Sequence, residues 1–177
     1  MKRPILRPGD EFATRNPTII GKLIRFAQKV KATDNEATYN HTGIITDPHG
    51  ATLEALWTIT AQNIWENYKG ERVLIVRNAN MSLPTYAAGF NKIRKHIGQW
   101  YPVPRLFLHM IGMAKFIHWD RAVCSELTAK FETGCAEYRE GKEAGFMRNW
   151  YGVNPDHLTD RWKISRYYHI IYEGVAE

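Results

Sequence analysis

Ala122-Val123-Cys124-Ser125-Glu126-Leu127-Thr128-Ala129-Lys130-Phe131 places a cysteine where a helix begins. Val123, Leu127 and Phe131 recur at helical spacing while Glu126 and Lys130 fall on another face, which predicts an amphipathic helix from about Cys124 to near Gly141. That is where a thiol becomes a nucleophile. The N–H groups and partial positive charge of a helix start favour thiolate over thiol, and with a cationic imidazole nearby they bring a cysteine pKa from about 8.5 to roughly 3.5–7.5. Asp120 is placed to cap the helix. The competing reading makes Cys124 a small buried hydrophobe, the usual fate of a free cysteine.

An imidazole has to come from elsewhere in the chain. His41-Thr42-Gly43-Ile44-Ile45-Thr46 and Ala51-Thr52-Leu53-Glu54-Ala55-Leu56-Trp57 are strand-like runs joined by Asp47-Pro48-His49-Gly50, a hairpin signal. If Thr46 faces Ala51 across the turn, Gly43 faces Glu54, and His41 and Glu54 project from one side as diagonal neighbours. A one-residue slip would separate them.

Around these two pieces the chain reads as helices and strands in mixture. Pro8-Gly9-Asp10 is turn chemistry leading into a strand at Glu11-Phe12-Ala13-Thr14. Asn16-Pro17-Thr18 opens a helix with Ile20, Leu23, Ile24, Ala27 and Val30 on one face, and a polar loop follows from Ala32 to Tyr39. Arg72-Val73-Leu74-Ile75-Val76-Arg77 has the continuous apolar centre of a strand buried on both faces. Leu83-Pro84 starts a helix to about Ile97 that packs through Tyr86, Phe90, Ile93 and Ile97. Leu106 to Trp119 is too apolar for a surface helix and predicts a buried helix or the wall of a pocket. Gly152 to Leu158 reads as a loop with a short helical turn, and Trp162 to Tyr172 as one or two closing strands.

A chain of 177 residues, 44% hydrophobic and 24% charged, is long enough for one core, so a single domain over 1–177 is expected. The net charge of +6 would suit an anionic partner, but Lys and Arg run from Lys2 to Arg166 with acids between them. A solvated, mildly basic surface is expected, with no specific nucleic-acid partner. The two cysteines, Cys124 and Cys135, lie about 16 Å apart if one helix carries both, too far for a disulfide. Few cysteines, no signal-peptide run and no apolar stretch of membrane-spanning length point to the cytoplasm.

Cysteine hydrolases need a thiolate, an imidazole to move its proton and a polar group to orient the imidazole. Cys124, His41 and Glu54 supply one of each. The same residues carry a resemblance. Pro8-Gly9-Asp10-Glu11-Phe12, Tyr39-Asn40-His41-Thr42-Gly43-Ile44-Ile45, Leu53-Glu54-Ala55 and Val123-Cys124-Ser125-Glu126-Leu127 resemble, in order, the signatures of the circularly permuted NlpC-like papain fold, its YiiX-type branch in particular. Val153-Asn154-Pro155-Asp156-His157-Leu158 resembles a late element of that family. The chain departs from the pattern at Thr42, where the family more often has an apolar residue, and in the long loop before His41.

The resemblance implies an α+β fold in which an antiparallel sheet packs against the cysteine helix, with the active groove at their junction. It implies Cys124 as nucleophile, His41 as general base and Glu54 as its orienting partner. It further implies an acyl-enzyme route to cleavage of an amide or isopeptide bond, in bacterial cell-wall peptides or similar substrates, without cofactor or metal. A bacterial or phage source is expected, with delivery to the envelope by another route. Two rivals remain: a lipid acyltransferase or deacylase on the same fold, and a non-catalytic binding module. A zinc site from His109, His118, Cys124, Cys135 and His157 lacks the close ligand pairs such sites use.

Overall fold

The computed structural model describes residues 3–15, 38–100, 123–140, 153 and 155–177. Its strands are β1 (Glu11–Thr14), β2 (His41–Ile45), β3 (Ala51–Ala55), β4 (Ile59–Asn63), β5 (Arg72–Asn78) and β6 (Tyr168–Val175). Its helices are α1 (Ile64–Asn67), α2 (Leu83–Ile93), α3 (Cys124–Glu140) and α4 (Pro155–Ile164). The strands form one sheet in the order β4-β3-β2-β1-β5-β6, and every pairing is antiparallel. The α+β expectation is met at this level. The helix expected after Asn16, the segment from Leu106 to Trp119 and the Asp120 cap lie outside the described residues.

Side-chain alternation divides the sheet into two unlike faces. Ile44, Leu53 and Ala55 pack with Val123, Cys124, Leu127, Phe131 and Cys135 on one face, and Ala13, Leu74 and Val76 join Ala129, Leu158 and Trp162 there. Phe12, Ile45, Val73 and Ile75 point the other way, against Leu6, Ile64, Trp65, Tyr68 and Tyr172. Strand β5 contributes to both, as its apolar centre requires: Val73, Leu74, Ile75 and Val76 are all fully buried.

The entry to β1 is held by one acid. Asp10 accepts the Arg7 N–H at 2.8 Å and both arms of the Arg77 guanidinium at 2.7 Å, tying the turn to β5 in a bidentate pair. Gly9 before it sits at φ +91, and a Cβ there would stand 2.8 Å from the Met81 side chain.

Helix α3 corrects the amphipathic expectation. From Cys124 to Ala136 every residue is buried, Glu126 and Lys130 included. Glu126 Oε2 accepts the Val123 N–H at 3.2 Å, the reach-back half of a capping box, and Lys130 Nζ meets His96 Nε2 at 2.7 Å. Polar residues are carried inside because each finds a partner, which spacing alone does not reveal. Against α2 the approach is close: a Cβ on Gly134 would lie 3.0 Å from the Gly89 Cα.

Three further boundaries differ from expectation. β3 stops at Ala55, so Leu56 and Trp57 are in a bend, and β4 with α1 follows where no element was expected. Helix α2 gives way to a 3-10 turn at Arg94–His96, which leaves Ile97 exposed instead of packed. Trp162, Lys163 and Ile164 end helix α4 and do not open a strand, and β6 begins only at Tyr168.

Glu11, in β1, is buried with no donor on either carboxyl oxygen. Its neighbour is the Glu132 carboxyl, which receives Arg161 at 2.9 Å, Trp162 Nε1 at 3.0 Å and the Tyr168 hydroxyl at 2.6 Å. Two carboxyls can share a hydrogen bond only if one is protonated. Burial first, then the charge of Glu132 and the bond to it, push the Glu11 pKa well above 4.5; Arg161 opposes and Asp10 adds to the rise. Stability drawn from that proton is fully present below the unfolded-state pKa of about 4.5 and declines as pH rises toward the elevated folded-state value. Glu11→Gln, which keeps a donor toward Glu132, is expected to flatten the fall of melting temperature above pH 5; an unchanged pH profile would refute the shared proton.

Candidate functional site

The hairpin forms in the expected register, with Gly43 opposite Glu54 and the Thr46 N–H bonded to the Ala51 carbonyl at 2.8 Å. Parity therefore brings His41 and Glu54 together, and His41 Nε2 lies 2.8 Å from Glu54 Oε2. Both are buried, His41 3% exposed and Glu54 0%.

Gly43 stands between them for a steric reason. A Cβ at this position would fall 2.6 Å from the Phe12 ring and 2.9 Å from Glu54 Cγ. The histidine and the acid can meet because the residue between them has no side chain.

Glu54 has two further donors that sequence reasoning missed. The Thr52 hydroxyl donates to Oε1 and the Tyr68 hydroxyl to Oε2. Thr52 is two residues away on the same face, so strand parity could have found it. Tyr68, just past α1, carried no local signal. Its ring lies 6.0 Å from the rings of both His41 and Phe12, closing an aromatic wall on the imidazole. Burial, then the charge of Glu54 and the hydrogen bond to it, then Cys124, push the Tyr68 pKa up, so the phenol keeps its proton and acts as a donor.

Cys124 arrives from the other layer of the fold. Helix α3 packs on the face of Thr42 and Ile44, and Thr128 Oγ1 donates to Thr42 Oγ1 at 3.2 Å. His41, with the parity of Gly43 and Ile45, belongs to the Tyr68 face. The helix therefore packs on the face opposite the one bearing His41 and Glu54. Cys124 is the first residue of its helix and His41 the first of its strand, and Cys124 is the largest of the influences that raise the imidazole pKa.

The imidazole is strongly perturbed. Burial alone would lower its pKa, but the charge of Cys124 and the hydrogen bond to it, followed by the bond to and charge of Glu54, outweigh burial and push it up to about 10. The ring therefore favours the imidazolium form at neutral pH.

Cys135, eleven residues further along α3, has the opposite setting. Burial, then the nearby Glu11 and Glu132, push its thiol pKa up, and Sγ donates to the Thr85 carbonyl at 3.4 Å. Both cysteines are free.

Two cavities lined by described residues, of about 680 and 310 Å³, lie elsewhere, and neither includes Cys124, His41 or Glu54. The larger one sits at the far end of α3, beside Arg139, Arg161 and Tyr168. Cys124 itself is 2% exposed. The groove expected beside the three residues is not one of these two. Among the described residues no helix is long and apolar enough to cross a membrane, and no three His, Cys, Asp or Glu side chains group so as to hold a metal ion.

No family model matches the chain, and no curated protein does. A solved structure does match: "Crystal structure of metalloprotein yiiX from Escherichia coli O157:H7, DUF1105", with a TM-score of 0.63 at 13% identity, covering 97% of this chain and 99% of that one. The chain therefore has a yiiX-like fold. At this identity the likeness is one of architecture.

Gly43→Ala is expected to cost about 1–3 kcal/mol of stability, a typical penalty for forcing a methyl group into a packed interior. It should also weaken the His41–Glu54 contact, read as a fall in the His41 pKa by NMR titration. An Ala variant with unchanged melting temperature and histidine titration would show that the strand relaxes freely there.

Proposed function

We propose that the protein is a cysteine hydrolase that cleaves an amide or isopeptide bond through an acyl-enzyme intermediate, with Cys124 as nucleophile, His41 as acid and base and Glu54 as orienting partner. What supports the reading is a buried imidazole held by Glu54 through Nε2 at 2.8 Å, whose pKa is raised by Cys124 as well as by Glu54. A satisfied structural histidine would need only one of those partners.

The steps follow from that order of groups. Sγ, its proton held by His41, attacks the carbonyl carbon, and the developing oxyanion is met by N–H groups left free at the start of α3, that of Cys124 first. Collapse breaks the C–N bond while His41 gives its proton to the departing amine. Water then enters, His41 takes one of its protons, hydroxide attacks the thioester carbon, and the carboxylic acid leaves as sulfur is restored. Glu54 remains a carboxylate throughout, its place fixed by Thr52 and Tyr68.

Cell-wall peptides are the substrate class we favour, on the strength of the motif resemblance and the yiiX-like fold. On such peptides Cys124→Ala is expected to lower turnover by about 10³-fold or more, a scale set by nucleophile removal elsewhere. Cys135→Ala should change it little, because that thiol is held protonated. His41→Ala should cost more than Glu54→Gln, since only the imidazole transfers a proton. The decisive measurement is alkylation rate against pH. Alkylation of Cys124 that depends on pH and loses that dependence in His41→Ala is expected; a featureless profile in both would leave a non-catalytic scaffold.

The pH dependence of the relay has a definite sign. Because His41 is raised from 6.5 to about 10, imidazolium is retained through neutral pH, and its contribution to stability is whole below 6.5 and fades as pH rises through about 10. Turnover should show an alkaline limb near pH 10, where the acid that protonates the leaving amine is lost. Glu54→Gln removes a charge that holds the proton, so the limb should move to lower pH. A limb that stays in place would dissociate Glu54 from the relay.

A further inference from the structure

The larger cavity, of about 680 Å³, has the size of a small-molecule site. It lies between the end of β5, the last turns of α3 and α4 and the start of β6. Four charged residues line it, and two of them form a closed pair: Arg161 Nη1 donates to Glu132 Oε2 at 2.9 Å. The other two are Arg139 and Glu140, both exposed and neither engaged in an ion pair among the described residues. Arg139 makes one long contact, at 3.5 Å, to Asn78 Oδ1.

Asn78 supplies a neutral donor beside that guanidinium. Its Oδ1 accepts the Asn80 N–H at 2.9 Å, which fixes the way round the amide stands, and its Nδ2 has no acceptor among the described residues. The residue is 8% exposed, yet the only sealed side-chain atoms without a partner in the described fold are the two oxygens of Glu11. Nδ2 therefore reaches open space, and the cavity is the space that Asn78 lines. Ile164, 85% exposed, and the half-exposed Tyr167 give the same cavity an apolar side.

We propose that this cavity binds a small zwitterion of amino-acid or dipeptide size, its carboxylate held by Arg139 and Asn78 Nδ2 and its ammonium group by Glu140. A guanidinium with an amide donor beside it holds a carboxylate through directed, charge-assisted bonds. Glu140 ends α3, where the helix dipole also favours a cation. A ligand of one sign would satisfy one of these two residues and be repelled by the other. An apolar side chain on the ligand would cover Ile164 and Tyr167. Arg139 comes 15 residues after Cys124 on α3, a rise of about 22 Å, so a dipeptide seated here does not reach the cysteine. The site is thus independent of the hydrolase reading.

The test uses the full chain carrying Cys124→Ala, titrated calorimetrically with leucylleucine, N-acetyl-leucylleucine and leucylleucine amide while the Asn78 side-chain amide is followed by NMR. Leucylleucine is expected to saturate and to shift the Asn78 Nδ2 signals. Each capped compound should bind about tenfold more weakly or worse, the scale of one charge-assisted hydrogen bond. Arg139→Gln should abolish the preference for leucylleucine over its amide and keep the preference over the N-acetyl compound; Glu140→Gln should do the converse. Asn78→Asp keeps the acceptor for the Asn80 N–H and removes the donor, so it should weaken leucylleucine about tenfold at unchanged melting temperature. Absence of saturable binding would overturn the proposal. So would a capped compound that binds as tightly as leucylleucine, which would mark a site for one sign of charge, or binding that survives both Arg139→Gln and Glu140→Gln.

Discussion

A carboxylate sealed from water constrains this structure more than any other group. Glu54 is wholly buried, and an unpaired carboxylate in that position would cost more than the roughly 5–15 kcal/mol by which a domain of this size is stable. It stands because His41, Thr52 and Tyr68 converge on its two oxygens. Two of those donors belong to the hairpin and depend on its register; the third comes from the segment that follows β4 and α1. The register, the absence of a side chain at Gly43 and the position of Tyr68 are therefore not independent features. Removing one donor leaves a buried charge short of a partner, a loss of about 3–5 kcal/mol when the missing group is the ionic one.

The cysteine is positioned by a different set of contacts. Since α3 lies on the face opposite the imidazole, the distance between sulfur and ring depends on how the helix start is placed along the sheet. Several contacts fix it: the Thr128 hydroxyl on Thr42, Ser125 Oγ on the Val153 carbonyl at 2.6 Å, Glu126 across the helix start and the close Gly89–Gly134 crossing with α2. The burial of α3 on all sides makes this possible, because a helix held by only one stripe could rock about its axis.

What the sequence revealed divides along physical lines. The hairpin was legible because strand alternation has a period of two, so one turn of known length sets the parity of His41 and Glu54. The helix was legible from Val123, Leu127 and Phe131, yet its inner polar residues were not, since the partner of Lys130 is His96, 34 positions away. The short helical turn expected before Leu158 extends to Ile164, because the β-branched and aromatic run around Trp162 argued for a strand and tertiary packing overrode it. Tyr68 could not be found by spacing at all.

The two cysteines show why residue type decides so little. Both are free, both are buried and both lie on α3. Cys124 raises the pKa of an imidazole that Glu54 holds through Nε2. Cys135 is buried near the Glu11 and Glu132 pair, and burial together with those two acids outweighs the opposing Arg139 and keeps its thiol protonated. Glu54 and Glu11 are the same contrast in acids. One buried carboxyl is given donors and can hold charge; the other is given another carboxyl and cannot. Along one helix the fold therefore sets one cysteine near a raised imidazole and the other among acids that keep its thiol protonated, and the chemistry we propose is assigned to the first.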